Sequence, residues 1–288
     1  MDRHLWWVEQ KKTRTRRPVS DDGWRLPDEL WTKMAPLLPA RPVHPLGCHN
    51  PRVPDRAAMD TIFFVLRTGC QWKALCETRI CSSSSAHRRF QEWVAGGVFA
   101  AFWREGLLAY DALAGIEWTW LALDGAMGKA PLGGEQTGRN PTDRGKRGVK
   151  RSVLTDARGV PLGVVIDGAN RNDHKLMRQT LEAIPVERPT PTEEHPQHLC
   201  LDKGFDYPEP RALAREFAFT LHLRTRGEEI QAKRHAQGKA RRWVVERTHS
   251  WLHRFRAILI RWAKKPANYL AMIHFACAII SWRHALPG

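Results

Sequence analysis

The chain has 288 residues, of which 42% are hydrophobic, so it can bury the core of one large or two medium domains. Its formal net charge of +16 and its pI near 10.1 favour a polyanionic partner, nucleic acid first, because neutralised phosphates release counterions. A protein that is merely basic is the alternative. No apolar stretch reaches the roughly 20 residues of a membrane-spanning helix, and the N-terminus lacks a signal-peptide pattern, so we expect an intracellular protein without a membrane partner.

The order of elements predicts three regions. Residues 1–23 are basic and without periodicity, which indicates a flexible arm that either contacts phosphates or has no role. Residues 24–115 are predicted to form a small helical DNA-binding domain, beginning with a short helix near residues 27–38. Residues 116–288 are predicted to be an α/β domain with helices at its C-terminal end.

Two helices dominate the N-terminal region. Apolar residues recur at helical spacing over Asp55–Gly69, and Ser82–Ser85 offer N-caps for a second helix that carries Arg88 and Arg89. This pair resembles a helix-turn-helix, whose second helix would place both arginines against DNA. A small bundle with solvated arginines is an equally good interpretation.

The second half alternates strands and helices, which predicts a mixed sheet. The loop between Asp124 and Lys150, which includes Lys146 and Arg147, either contacts DNA or is a solvated connection. In chain order the predicted elements are strand 118–123, strands 150–155 and 160–167 around a turn, helix 173–184, strand 199–201, helix 210–216 and strand 217–223.

The C-terminal segment reads as a basic amphipathic helix followed, after Pro266, by an apolar one. Helical spacing predicts that Glu246, His249, Ser250 and His253 share a polar face opposite the apolar stripe of the first helix. Its arginines, either solvated or facing DNA, are Arg241, Arg242, Arg247, Arg254, Arg256 and Arg261.

Three carboxylates carry the candidate chemistry. Asp124 and Asp202 each follow an apolar strand, and ligand sites in α/β sheets lie at strand ends. Glu246 lies in the basic helix, where a glutamate is usually a salt-bridge partner. Together they predict a two-metal phosphoryl-transfer site, because Mg²⁺ takes oxygen ligands and two shared ions stabilise the attacking and leaving oxygens. Asp167 and Asp173 are the nearest alternative carboxylates.

A structural zinc site is the alternative interpretation of the N-terminal cysteines. Cys70, Cys76, Cys81 and His87 lie in one segment, but no cysteine pair has the short separation typical of structural zinc sites. Six cysteines in a chain of this length fit a reducing cytosol, so buried free thiols are the simpler interpretation.

Three segments are similar to the catalytic motifs of DDE transposases from bacterial insertion sequences, specifically insertion sequence family five: Trp120–Gly125, Leu201–Asp206 and Val245–Arg256. One departure is Cys76–Ser85, where the family usually shows a proline and then aromatic and glycine residues. The resemblance covers roughly residues 22–286 and extends to Gly168–Asp173, Leu66–Trp72 and Arg88–Phe90.

The resemblance implies an RNase H-like mixed sheet flanked by helices, preceded by a small all-α domain. It implies that Asp124, Asp202 and Glu246 hold two Mg²⁺ or Mn²⁺ ions, that Arg247, Arg254 and Arg256 clamp phosphates, and that His249 lies near the site. The expected partners are double-stranded DNA, as transposon ends and target, and further copies of the chain in a homodimer or larger assembly. The expected location is the bacterial cytoplasm, at the nucleoid.

Two other functions remain possible on these residues. One is a metal-dependent nuclease that cuts DNA without strand transfer. The other is a catalytically inactive DNA-binding protein derived from a transposase.

Overall fold

The computed structural model describes residues 23–40, 52–223 and 243–286. The predicted arm at residues 1–22 and the predicted DNA contacts Arg241 and Arg242 lie outside the described residues.

Local sequence signals set the ends of the N-terminal helices. Gly69 has φ 66°, so it closes a helix in the left-handed conformation that glycine adopts readily. Ser82 caps the next helix by accepting a hydrogen bond from the Ser85 backbone N–H. The helices are α1 (Asp28–Met34), α2 (Asp55–Thr68), α3 (Ser83–Ala95) and α4 (Val98–Ala114).

The connection between α2 and α3 differs from a helix-turn-helix. Residues 69–82 join the two helices and contain the 3-10 turn Trp72–Thr78, whereas a helix-turn-helix uses a turn of three or four residues. The helix-turn-helix prediction is therefore wrong in its geometry, and the bundle interpretation describes the pair better.

The sheet has the strand order β4-β3-β1-β5-β6, with the short β2 at the edge of β3. β1 is antiparallel to β3 and parallel to β5, and β5 is parallel to β6. The predicted mixed sheet flanked by helices is confirmed. The strands are β1 (Trp120–Lys129), β2 (Gly138–Arg139), β3 (Arg147–Thr155), β4 (Pro161–Gly168), β5 (His198–Leu201) and β6 (Thr220–Leu223).

β1 is longer than the sequence predicted. It continues past Asp124 to Lys129 and pairs with β3 along that length, from Ala122 opposite Thr155 to Lys129 opposite Gly148. Asp124 therefore lies inside a strand and not at its end, and much of the predicted loop belongs to a β-hairpin. Glycines in the run concealed the strand, which is held by pairing with a distant segment.

Helices cover both faces of the sheet. α5 (Met177–Glu182) packs on one face, where the Thr180 hydroxyl donates to Ser152 Oγ at 2.8 Å, and α6 (Pro208–Glu216) precedes β6. The other face carries α7 (Trp243–His253) and α9 (Pro266–Ala285).

The predicted continuous basic helix is broken. α7 ends at His253, α8 (Arg256–Leu259) is a single turn, and Ile260 then forms an isolated bridge with Lys129 of β1. Arg261, expected on a charged surface, is fully buried. Its guanidinium donates to the carbonyls of Glu135, Gln136, Ala263 and Lys264.

One core joins the N-terminal helices to the sheet. The Phe275 ring of α9 lies 6.2 Å from Phe63 of α2 and 5.3 Å from Phe99 of α4, between ring centroids. Trp103 of α4 donates its indole N–H to the carbonyl of Pro161 in β4 at 3.2 Å. The last helix therefore packs against both halves of the chain. None of the described helices is long and apolar enough to cross a membrane.

The described cysteines are free thiols. Cys81, Cys200 and Cys277 are buried as expected, but Cys76 is exposed and donates from its thiol to Ser83 Oγ at 3.4 Å. Cys48 lies outside the described residues.

Candidate active site

Asp124 and Asp202 lie side by side on neighbouring strands. The parallel register of β1 and β5 pairs Trp120 with His198 and Ala122 with Cys200. Two residues further along both strands, this register brings Asp124 opposite Asp202, which directly follows β5. Neighbouring strands are about 4.8 Å apart, so the aspartate backbones are adjacent although 78 residues of sequence separate them.

Both carboxylates point to the same face of the sheet. Paired residues on neighbouring strands share a face, and Asp124 also pairs with Val153 of β3, whose face carries α7 and α9. Asp202 is in the extended conformation, so the alternation of side chains between the two faces of the sheet continues from β5 to Asp202. Each carboxylate is oriented by a backbone N–H, because Asp124 Oδ1 accepts from Gly125 at 2.8 Å and Asp202 Oδ1 accepts from Gly204.

The alternative carboxylates lie on the opposite face. A Cβ built on Gly125, which points away from Asp124, would lie 1.8 Å from Asp173 Oδ1. Asp173 Oδ2 accepts from Lys150 Nζ at 2.9 Å, and Asp167 pairs with Lys150 across β3 and β4. Asp167 and Asp173 therefore belong to a lysine-centred cluster that the sheet separates from the Asp124 carboxylate.

α7 runs along β1 on the face of the aspartates. Val244, near its start, lines a small cavity together with Ala122. One turn and a half later, His249 lies against the backbone of Asp124. His253, at the end of α7, accepts at Nε2 a hydrogen bond of 2.6 Å from the Arg151 guanidinium of β3.

Glu246 falls within this stretch of α7, one turn before His249. It is exposed, and helix geometry directs it roughly 160° away from Thr248, whose hydroxyl donates to Gly159 at the tip of the β3–β4 hairpin. Glu246 therefore projects away from β3 and β4, toward the side of β1 where Asp202 lies.

The donor chemistry of these residues suits a hard divalent cation, since all three supply carboxylate oxygens. However, no group of three or more His, Cys, Asp or Glu side chains within residues 23–40, 52–223 and 243–286 is arranged to hold a metal ion. The register of β1 and β5 places the two aspartates side by side, and Glu246 lies on α7, which packs along β1.

The predicted polar face of α7 is only partly exposed. Glu246 and Ser250 are exposed, but His249 is buried and His253 is half-buried. Burial, with the positive charges of Arg151 and His253, lowers the pKa of His249 to about 3, and the Asp124 backbone acts in the opposite direction. His249 is therefore neutral near pH 7.

Two of the predicted DNA contacts, Arg89 and Arg247, are held by other groups of the protein. Arg89 is 7% exposed and its guanidinium lies between the carboxylates of Glu92, at 2.6 Å, and Asp55, at 3.4 Å. Arg247 lies over the rings of Trp243 and Trp251, 4.7 and 4.9 Å from their centroids, and donates to the carbonyl of Arg158. Arg89 is therefore buried in an ion-pair cluster and Arg247 is half-buried, and their contacts with DNA stay predictions. The remaining described candidates are exposed: Arg88, Lys146, Arg147, Arg254 and Arg256.

Arg151 is a residue that sequence reasoning missed. It is 1% exposed, and besides the His253 contact its guanidinium donates to the Ile258 carbonyl at 2.9 Å. It therefore ties β3 to the end of α7 and to α8. Its position inside an alternating strand gave no signal, because the partners come from more than 100 residues away.

A cavity of about 580 Å³ lies elsewhere, between the N-terminal helices and the segment from α8 to α9. Trp72, His87, Trp262 and Tyr269 are among the residues that line it, and none of its described lining residues is a carboxylate. The cavity is therefore separate from the candidate active site.

Two curated relatives are similar to this chain. "Putative transposase for insertion sequence element IS402" from Burkholderia cepacia is 38% identical over 157 residues, which cover 52% of this chain and 70% of the relative. "Insertion element IS402 uncharacterized 16.2 kDa protein" from the same organism is 36% identical over 129 residues, covering 43% of this chain and 82% of the relative.

Among solved structures, the Mos1 mariner paired end complex with Mn is similar at 12% identity, over 97% of this chain and 92% of that chain. Its TM-score of 0.28 is too low to support an argument from that structure.

Two family models match consecutive parts of the chain. The model described as "Putative transposase of IS4/5 family" matches residues 26–103, the N-terminal helices. The model described as "Transposase DDE domain" matches residues 120–281, more than half of the chain and the whole of the sheet. Together with the paired aspartates, these matches show that the chain belongs to the DDE transposase family of bacterial insertion sequences.

Proposed function

We propose that this transposase binds the terminal repeats of an insertion sequence, cleaves the DNA ends and joins them to target DNA by transesterification. The observation that carries the proposal is the register of β1 and β5, which sets Asp124 beside Asp202 on the face that α7 covers. Transesterification needs no external energy source, which agrees with the absence of a nucleotide-binding glycine loop from the sequence.

Asp124, Asp202 and Glu246 are the residues that would hold two Mg²⁺ or Mn²⁺ ions. When bound, such ions lower the pKa of a water nucleophile and stabilise the attacking and leaving oxygens of an in-line displacement. The family assignment supports dependence on a divalent metal. Asp124 and Asp202 supply a pair of carboxylates on neighbouring strands. Glu246 is exposed on α7, and a change of its side-chain rotamer would bring the third carboxylate toward them.

The protein contributes orientation around these carboxylates. Backbone N–H groups of Gly125 and Gly204 hold the two aspartate planes, so little rearrangement is needed at the moment of reaction. Neutral His249 is buried between α7 and the Asp124 backbone, so it supports α7 beside β1 without adding charge to the site.

DNA binding follows from charge and from the exposed cations. Arg88 on α3 and Lys146 with Arg147 at the start of β3 are exposed, as are Arg254 and Arg256 beyond α7. Arg241 and Arg242, outside the described residues, remain predicted contacts. In this scheme residues 24–115 form a helical DNA-binding domain and residues 116–288 the catalytic domain.

The assembly is proposed to be a homodimer or a larger oligomer, because two element ends must be brought together before they are joined. Its place of action is proposed to be the bacterial cytoplasm, at the nucleoid, where donor and target DNA are found.

The experiment is a cleavage assay on a mini-element that carries the terminal repeats. Glu246→Gln is expected to reduce Mg²⁺-dependent cleavage by roughly 100-fold or more while DNA binding is retained. Glu105→Gln on α4, a helical glutamate whose side chain is 42% exposed, is the matched control and is expected to keep full activity. Normal cleavage by folded Glu246→Gln would refute the assignment.

The same assay separates the alternative functions. Strand-transfer products, with the element joined to target DNA, support a transposase. Cleaved ends without joined products indicate a metal-dependent nuclease, and binding without either product indicates a catalytically inactive DNA-binding protein.

A further inference from the structure

Three arginines from distant parts of the sequence meet at the end of α7. Arg67 lies in the last turn of α2, two residues before Gly69, and Arg254 follows α7, two residues before Arg256. A Cβ built on Gly69 would lie 3.0 Å from the Arg256 carbonyl, so these two segments are in direct backbone contact. Arg67 and Arg254 are therefore neighbours across the junction of the two family-model regions.

Arg283 joins them from α9. Its neighbour His284 packs on Trp251 of α7, with ring centroids 5.4 Å apart, and Trp251 is three residues before Arg254. The pKa of Arg283 is lowered by partial burial and then by the positive charges of Arg67 and Arg254, which shows that the three guanidinium groups repel one another.

The three charges have no acidic counterpart within the part of the chain that the structure describes. Many other arginines of the described chain are paired, such as Arg104 with Glu105 at 2.9 Å and Arg178 with Glu216 at 2.6 Å. The guanidinium groups of Arg67, Arg254 and Arg283 form no ion pair or hydrogen bond with any residue of the described ranges. Gathering like charges without a carboxylate costs free energy, which a bound polyanion would offset.

The position of the cluster relates it to the candidate active site. Arg254 follows Glu246 by eight residues, which at 1.5 Å per residue of helix is about 12 Å. Double-stranded DNA rises about 3.4 Å per base pair, so this distance corresponds to about three or four base pairs. Arg254 and Arg283 are exposed and Arg67 is half-buried, so a backbone phosphate can reach all three.

We propose that Arg67, Arg254 and Arg283 form a phosphate-binding site for double-stranded DNA, about three or four base pairs from the carboxylates. One arginine comes from α2, one directly follows α7 and one comes from α9. DNA bound at this site would therefore contact the N-terminal helices and the helices that pack on the sheet at the same time. The inference rests on the proposed function in naming DNA as the anion.

The experiment measures binding of the full chain to a 40-base-pair duplex over a range of salt concentrations. Each phosphate contact contributes about 0.9 to the slope of log K against log salt, so Arg67→Ala, Arg254→Ala and Arg283→Ala should each lower the slope by about that amount. The triple variant should lose more than 10-fold in affinity at moderate salt. Arg104→Ala, which removes the same charge from an ion-paired surface arginine, should leave the slope unchanged.

Two further measurements keep the test decisive. Arg283→Lys keeps the charge and should restore most of the slope, so a variant that loses binding through misfolding would be recognised by failing this rescue. A triple variant with an unchanged slope and affinity overturns the proposal. Because binding is measured without cleavage, normal cleavage by Glu246→Gln, or cleavage without strand transfer, would count against the proposed function and leave this result standing.

Discussion

Lys150 and Asp173 form an ion pair on the face of the sheet opposite Asp124, with Nζ and Oδ2 2.9 Å apart. Lys150 is nearly buried, with 7% of its side chain exposed, whereas 30% of the Asp173 side chain is exposed. Asp173 thus supports a buried lysine, which distinguishes it from the aspartates proposed to hold metal.

This relationship predicts opposite outcomes for two similar substitutions. Asp173→Asn should lower the free energy of unfolding by about 1–3 kcal/mol, because Lys150 loses its charged partner, and should leave cleavage largely intact. Asp124→Asn should change stability little and abolish cleavage. Urea denaturation and the mini-element assay measure the two effects; loss of cleavage by folded Asp173→Asn alone would mean that the wrong carboxylate was chosen.

Gly125 provides a second test of the same cluster. Its Cβ position lies 1.8 Å from Asp173 Oδ1, so Gly125→Ala must displace Asp173 and strain its contact with Lys150, at a cost of about 1–3 kcal/mol. Gly96→Ala, whose Cβ would meet nothing closer than 3.5 Å, is the matched control. In thermal denaturation, Gly125→Ala should destabilise the unaltered chain but should cause no further loss of stability in a chain that already carries Asp173→Ala. An equal loss in the two chains would contradict the contact between Gly125 and Asp173.

Arg151 predicts a change in the titration of His253. Partial burial lowers the pKa of His253, and the neighbouring Arg151 charge lowers it further. Arg151→Met removes that charge, so the pKa of His253 should rise toward its ordinary value without reaching it, since burial remains. Proton NMR titration measures the change. Arg171→Met, which removes an arginine paired with Asp167 on the other face of the sheet, should leave the His253 titration where it was.

The sequence predicted the elements whose signals are local. The hairpin of β3 and β4, the α2 helix ending at Gly69 and the position of Asp202 after β5 all follow from apolar runs and turn residues within a few positions. These are the features that propensity and periodicity encode.

Features that depend on distant partners were missed. α4 was not predicted, because its apolar residues extend around the helix and it is buried against α9; Gly96 and Gly97 before it and Gly115 after it were the available signals. The extension of β1 and the break after α7 both come from pairing, since the Arg261 backbone N–H donates to the Lys129 carbonyl at 2.8 Å. At the candidate site, the sequence predicted Asp124 and Asp202 as the site carboxylates. That the two lie on the same face of the sheet follows from the register of β1 and β5, which the sequence does not reveal.

Substitution of Arg261 should have a large effect on stability, although the sequence predicts a charged surface position. Its guanidinium reaches four backbone carbonyls at 2.7–3.0 Å from a fully buried position. Arg261→Lys should cost about 3 kcal/mol of unfolding free energy, because an ammonium cannot reproduce the planar arrangement of donors. Arg254→Lys, at an exposed position on the same segment, should change stability by less than about 0.5 kcal/mol. Equal stability of the two variants in urea would contradict the buried role of Arg261.

His274 predicts how stability depends on pH. Its ring stacks on Trp103, with centroids 5.3 Å apart, and burial lowers its pKa to about 4 from an unfolded value of 6.5. Because the folded pKa lies below the unfolded one, the folded state favours the neutral ring. Its contribution is complete above pH 6.5 and is lost as the pH falls toward 4.

His274 alone is expected to contribute a loss of about 1–2 kcal/mol of unfolding free energy between pH 7 and pH 5, measured by urea denaturation at each pH as the difference between the unaltered chain and His274→Phe. His274→Phe should reduce the slope over this range, because phenylalanine keeps the stacking without a titrating group. The slope should not vanish, since the lowered pKa of His249 acts in the same direction. His195→Gln, at an exposed position, should leave the slope unchanged. Removing the titrating ring must remove its share of the proton uptake on unfolding. If the unfolding free energy of His274→Phe falls with pH as steeply as that of the unaltered chain, the neutral His274 imidazole is therefore not the cause of the pH dependence.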